Sequence, residues 1–163
     1  MDRIDEPAGS SLVFRAGGRL CVLPLEHVVE TMRPLPTSAV TGGPPFVVGV
    51  AVVRGVALPV VDVARVLDAS ADARGSAPPA EAGRRFVTVR VADRAVALVV
   101  DAVVGVRTLP EGARRELPPL LRCAASDAVA AIGTLDSELL VVLRAARLVP
   151  DENLGDRTAG VAG

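Results

Sequence analysis

Apolar positions in this chain fall in short, dense runs, each closed by a glycine, a proline or a small group of charges. From Phe46 the run FVVGVAVV meets Arg54-Gly55, and a second run, VALPVV, leads to Asp62 and a VARVL tail. β-Branched residues suit a pleated, buried surface, and Gly55 can supply the positive φ of a tight turn. Phe46 to Leu67 therefore predicts a hairpin with an arginine at its tip, followed by a helical turn at Val63 to Asp68. Pro59 has no N–H to donate and should sit at a sheet edge or at the end of a ladder. A charge placed between two such strands must reach water or a partner.

The same grammar recurs. Leu12 to Arg15, the turn Ala16-Gly17-Gly18, and Arg19 to Leu25 predict a first hairpin. Arg85 to Val91, Ala92-Asp93-Arg94, and Ala95 to Asp101 predict another, extended by Val103 to Leu109. Val129 to Leu135, Asp136-Ser137, and Glu138 to Leu143 predict the last. Pro34 and Pro36 interrupt the chain after Glu26 to Met32, Thr37 to Pro45 reads as loop, and 110–123 reads as irregular. Residues 69–84, ASADARGSAPPAEAGR, have almost no bulky apolar side chain and read as a flexible connector. Residues 1–10 and 151–163 read as flexible ends.

The order of these elements repeats. A displacement of 75 pairs Arg15 with Arg90, Arg19 with Arg94, Leu23 with Leu98, Glu26 with Asp101, and Val28-Val29 with Val103-Val104. Further on, a displacement of 82 pairs Leu58 with Leu140, Val60 with Val142, and Ala64-Arg65 with Ala146-Arg147. Each half, about 11–68 and 85–150, carries about five strands. A small closed barrel is the economical way for so few strands to hide their edges around an aliphatic interior. The predicted fold is all-β: two similar five-stranded barrels packed together within 11–150.

Composition narrows the function. Half of the 163 residues are hydrophobic, yet the aromatics are three Phe, with no Tyr or Trp, so the core is aliphatic. A net charge of −1 lacks the clustered positive surplus of a nucleic-acid binder. The N-terminus has no signal-like apolar region, and no apolar run reaches the roughly 18 uninterrupted residues of a membrane span. A cytoplasmic protein without membrane insertion is expected. Cys21 and Cys123 read as small buried hydrophobes, although their spacing leaves a disulfide open.

Candidate chemistry is sparse. His27 is the single histidine and lies in the apolar stretch LEHVVE, and no His, Cys or carboxylate group shows metal-ligand spacing. Glu26, Glu30, Asp62, Asp101 and Asp136 are scattered near strand ends, where they suit capping and solvation better than acid–base catalysis. Phosphate-binding and nucleophile motifs are absent. The expected protein is not an enzyme and uses no cofactor or metal. Its function then lies in its surface, with Arg54 and Glu30 as the charged outliers able to steer a partner.

The stretch FVVGVAVVRGVALPVVDV resembles the signature of the CheW-like coupling-protein family, an apolar pair, G-V, an N-L-R-G turn and P-V-x-D-L. LPLEHVVET, RFVTVRVADRAVALVVDAVVGV and IGTLDSELLVVLRAARLV are similar, in order, to the family's other segments, so the resemblance covers about 11–150. It implies two intertwined SH3-like five-stranded β-barrel subdomains and a non-catalytic adaptor. That adaptor would link the cytoplasmic helical tip of a chemoreceptor to the regulatory domain of a CheA-type histidine kinase. By the same resemblance Arg54, with Gly55 in its turn, and Glu30 match positions tied to partner contact, and Val28 and Thr31 match neighbours lining the receptor groove. Val52 stands where the family usually has Asn, Thr31 replaces an aliphatic, and Arg144 replaces an acidic or amide residue. Two other functions compete with this one: a regulatory barrel holding a small ligand, against which the absence of Tyr and Trp counts, and a stand-alone competitor resembling the kinase's regulatory domain in a chemosensory pathway outside motility.

Overall fold

The computed structural model describes residues 9–40, 42, 45–67, 83–109, 114–115 and 128–149. Cys123, the connector at 68–82 and the two ends (1–8 and 150–163) lie outside these residues, as does most of the stretch expected to be irregular. The strands are β1 (Ser10–Ala16), β2 (Arg19–Pro24), β3 (Val28–Met32), β4 (Ser38–Ala39), β5 (Val47–Val53) and β6 (Val56–Asp62). After the short helix α1 (Val63–Leu67) come β7 (Arg85–Val91), β8 (Arg94–Val100), β9 (Ala102–Thr108), β10 (Arg114–Arg115), β11 (Val129–Leu135) and β12 (Glu138–Leu143). A last helical turn, α2, spans Ala145–Leu148, and a 3-10 turn at Leu25–His27 joins β2 to β3.

Four of the hairpins close through two-residue turns with left-handed residues, the turn class whose twist matches that of the flanking strands. Gly17 and Gly18 have φ of 62° and 77°, Arg54 and Gly55 51° and 82°, and Asp136 and Ser137 49° and 71°. In the fourth turn, Ala92 has φ 57°. Helix α1 begins at Asp62, whose Oδ1 accepts the Ala64 N–H at 3.1 Å, and ends where Arg19 Nη1 donates to the Leu67 carbonyl at 3.4 Å. Its counterpart α2 follows Arg144, which offers no side-chain cap. The backbone bond survives the change. Asp62 N–H donates to the Phe46 carbonyl at 2.9 Å, and Arg144 N–H donates to the equivalent Ala128 carbonyl at 2.7 Å.

The strands form two six-stranded sheets, ordered β10-β11-β12-β2-β1-β9 and β3-β7-β8-β6-β5-β4. Each therefore has one strand more than the five expected. The additions are the two-residue strands β4 and β10, too short to leave an apolar pattern. Exchanging β1 for β7, β2 for β8, and so on to β6 for β12 turns one strand order into the other. The repeat is structural. Yet a half of the sequence is not a barrel: β1 and β2 join β9 to β12, while β3 to β6 join β7 and β8. The parallel seams keep the displacements read from sequence, since Val60 pairs with Ala97 and Val142 with Val22. Pro59 is in an interior strand, not at an edge, but the ladder with β8 begins one residue later, at Val60.

This exchange explains the dense apolar runs. Leu12, Phe14, Cys21 and Leu23 from one sheet and Val87, Val89, Val96, Leu98 and Val100 from the other share one cluster with α1 and α2. Alternate residues turn to a private cluster in each sheet: Val13, Leu20, Val22 and Leu140 in one, Ala51, Val60, Phe86 and Ala97 in the other. Central strands are thus buried on both faces, which removes the apolar–polar alternation of a one-sided sheet.

Candidate functional site

Two side chains that sequence reasoning treated as separate outliers meet. Arg54, at the tip of the β5–β6 hairpin, donates from Nε to Glu30 Oε2 at 2.7 Å and from Nη2 to Glu30 Oε1 at 2.8 Å. Residues 24 positions apart thus close a two-pronged charge-assisted pair between the tip and β3. The Arg54 side chain is 75% exposed and that of Glu30 25%, so the arginine forms the outer layer. Of the five guanidinium N–H groups two are engaged, and three remain for an acceptor on a partner. The arginine partner draws the Glu30 carboxyl below its ordinary value, and the hydrogen bond outweighs the opposing effect of burial. Glu30 in turn raises the Arg54 pKa.

Local backbone geometry sets this up. The β3–β7 pairing slips between Val28 and Glu30, with Val28 opposite Val89 and Glu30 opposite Thr88. This bulge leaves Val29 unpaired and exposed. The Thr88 hydroxyl donates to the Glu30 carbonyl at 3.3 Å, holding the strand behind the carboxylate. Glu30 is half-buried and Thr31 exposed. Val28 is half-buried against the shared cluster rather than out on the surface. The valine that reaches solvent is the bulged Val29, 58% exposed, which sequence reasoning passed over. Val52 and Val56 beside the arginine turn are also exposed. A hydrophobe at the position usual for Asn, two residues before Arg54, was the signal for this apolar rim.

The duplicated unit has no such pair. Its bulge recurs between Val13 and Phe14, which pair with Gly105 and Val103. At the positions equivalent to Arg54 and Glu30 stand Asp136 and Gly105. A different pair serves that sheet: Arg15 Nη1 and Nη2 donate to Glu138 Oε2 and Oε1 at 2.7 and 3.0 Å, tying β1 to β12 across β2. Asp101 Oδ2 accepts the Gly17 N–H at 3.0 Å, anchoring the β1–β2 turn. Asp101 here, and Asp62 at the start of α1, thus cap turns rather than form an acid–base pair.

Among the described residues no group of His, Cys, Asp and Glu is arranged to hold a metal ion, and no helix is long and apolar enough to cross a membrane. Cys21 is a free thiol, pushed up to about 12 by burial and so unreactive as a nucleophile at neutral pH.

Comparison with known proteins places the fold. The model of a family described as the CheW-like domain matches residues 10–153. Protein PilI of Pseudomonas aeruginosa is 33% identical over 112 residues, covering 68% of this chain and 60% of that protein. The chain thus spans about 60% of the length of that relative. The crystal structure of scaffolding protein TtCheW from Thermoanaerobacter tengcongensis superposes with a TM-score of 0.70 at 22% identity, covering 83% of this chain and 88% of that one. The fold is that of paired SH3-like β-barrel subdomains.

Proposed function

The chain belongs to the CheW-like domain family, and from that membership we propose that it is a cytoplasmic adaptor. It would join the helical tip of a chemoreceptor to the regulatory domain of a CheA-type histidine kinase. The family is one of non-catalytic scaffold proteins, so function resides in surfaces. The observation that carries the reading is the family match over 10–153, nearly the whole duplicated unit. The Arg54–Glu30 pair supports the location of the contact. It is an exposed guanidinium held in one orientation and rimmed by Val52 and Val56, which lowers the entropy lost when a partner docks. Glu30, Thr31 and Gly55 belong to this surface around the arginine, while Val28 backs it from the core side. Neither nucleic acid nor membrane lipid is a partner in this reading.

Titrating the full chain against the regulatory domain of a CheA-type kinase, and against a chemoreceptor helical tip, tests it. Arg54→Ala should weaken at least one complex by roughly tenfold or more, as hot-spot arginines do. Its melting temperature should stay within about 3 °C of the parent, since the side chain is exposed. Arg54→Lys, which keeps the charge but loses the two-pronged geometry, should fall between. Unchanged affinity for both partners, or failure of the parent chain to bind either, would overturn the proposal.

A further inference from the structure

The chain crosses from its first half to its second half once, between α1 and β7, yet the halves share every seam that closes the two sheets. Within 9–67 the pairings are β1 with β2, β4 with β5, and β5 with β6. Within 83–149 they are β7 with β8, β10 with β11, and β11 with β12. All four remaining seams, β1·β9, β2·β12, β3·β7 and β6·β8, join one half to the other. Separated, the first half would hold a hairpin, a lone β3 and a three-stranded piece. None of these is a sheet able to bury its apolar face. The shared core is divided too, with Phe14, Leu23, Val61 and Val63 packed in one cluster with Val87, Leu98, Leu143 and Leu148.

We propose that this chain associates with a second copy of itself by exchanging halves, residues 9–67 of one copy closing both sheets with 83–149 of the other. Every seam and the whole core would be reproduced in the exchanged dimer, because none depends on which copy supplies the second half. Only the route of the connection at 68–82 changes, and 15 residues can span at most about 50 Å. Closure within one chain is favoured by an effective concentration in the millimolar range. Exchange should therefore compete when protein refolds near that concentration and be negligible at micromolar levels. The product would carry two Arg54 turns on one body of two interlocked chains, making a bivalent scaffold from a monovalent one.

The test mixes 14N- and 15N-labelled full-length chain carrying a specific protease site in place of residues 72–78. The mixture is unfolded in guanidinium and refolded at about 1 µM and at about 0.5 mM. The expected result is monomer at the low concentration, and at the high concentration a dimer that persists on dilution. Cutting the connection should convert that dimer into monomer-sized, non-covalent pairs, about half of which join a light half to a heavy half in native mass spectra. Cut monomer should stay intact as a pair of halves. A dimer that gives only same-label pairs after cutting, or no dimer at 0.5 mM, overturns the proposal, as does separation of the halves in the cut monomer. The unmodified chain, refolded over the same range and sized by light scattering, repeats the concentration test should the inserted site impair folding. Absence of its dilution-resistant dimer counts equally against exchange.

Discussion

At Gly49 strand β5 lies tight against Thr37 and Ser38, and replacing this glycine by Ala tests the packing behind the arginine hairpin. A methyl group built there would overlap the Ser38 carbonyl oxygen. It would also lie 2.8 Å from the carbonyl carbon and 2.9 Å from Thr37 Cγ2, where ordinary contact begins at 3.4 Å. To reach ordinary contact the backbone carbon must retreat by about 0.6 Å, and the oxygen by more. Strand β4 pairs with β5 only at Ser38–Val50 and Ala39–Gly49, so a retreat of that size removes the whole pairing. At about 1 kcal/mol for each paired position, losing the two positions sets the loss near 2 kcal/mol. Rigidifying a strand glycine returns about 0.5–1 kcal/mol, leaving a net cost of about 1–1.5 kcal/mol. Ser38 and Ala39 are exposed, so the detached segment rehydrates and the damage stays local. In the other sheet the equivalent position is already Ala131, tolerated because β10 pairs at Ile132 and Gly133 instead. Urea unfolding should show the loss, and hydrogen exchange should show the Ser38 and Ala39 region opening while β5–β6 stays protected. An unchanged urea midpoint with β4 still protected would refute the close approach.

Two further outcomes follow from turns and charges. Ser137 adopts φ 71° in its turn, so Ser137→Gly should remove a left-handed penalty of about 1–2 kcal/mol against a chain-entropy cost of about 0.5–1 kcal/mol. The net gain of roughly 0.5–1 kcal/mol should appear as a higher urea midpoint, and a lower one would contradict the turn geometry. The Glu30 and Glu138 carboxyls are held below the ordinary value of 4.5 by Arg54 and Arg15. A depressed folded-state pKa gives stability that is complete above the unfolded value and is lost as pH falls through the folded value. The two pairs should therefore hold at neutral pH and fail on acidification below about pH 4.5. Carboxyl 13C titration should show Glu30 moving up toward 4.5 in Arg54→Ala while Glu138 stays put. An unmoved Glu30 would break the assignment.

Much of this architecture was legible because its signals are local. The hairpins announced themselves through β-branched runs ending in Gly17-Gly18, Arg54-Gly55 and Asp136-Ser137, and the repeat survived as displacements that the parallel seams obey. What stayed hidden is partner choice. β2 and β8 are buried on both faces, so Leu20 to Leu23 and Val96 to Val100 show that they are central strands without saying which strand lies on each side. Two consecutive barrels and two exchanged ones leave the same apolar pattern. The Arg54–Glu30 pair was hidden for a related reason: no spacing rule links residues 24 apart in separate strands, and the bulge at Val29 sets which way Glu30 faces. The same bulge exposed Val29 and left Val28 against the core, a distinction that alternation alone cannot draw.

Duplication makes the differences between the halves more informative than their likeness. Both sheets obey one strand order, with the same two register shifts and one parallel seam in each, so an ion pair required by that frame would occur twice. It does not. One sheet places Arg54 and Glu30 where the other has Asp136 and Gly105, and the other ties Arg15 to Glu138 where the first has Arg90 and Val56. Since β1 and β12 come from opposite halves, the Arg15–Glu138 pair fastens the exchanged hairpin and serves the fold. The Arg54–Glu30 pair joins elements of a single half, β3 and the tip of the β5–β6 hairpin, which no seam pairs directly, and it exposes its guanidinium. The other sheet keeps the same strand order with Asp136 and Gly105 at these positions, so that order does not require Arg and Glu there. That asymmetry sets the hairpin tip apart from the charged residues that tether the frame.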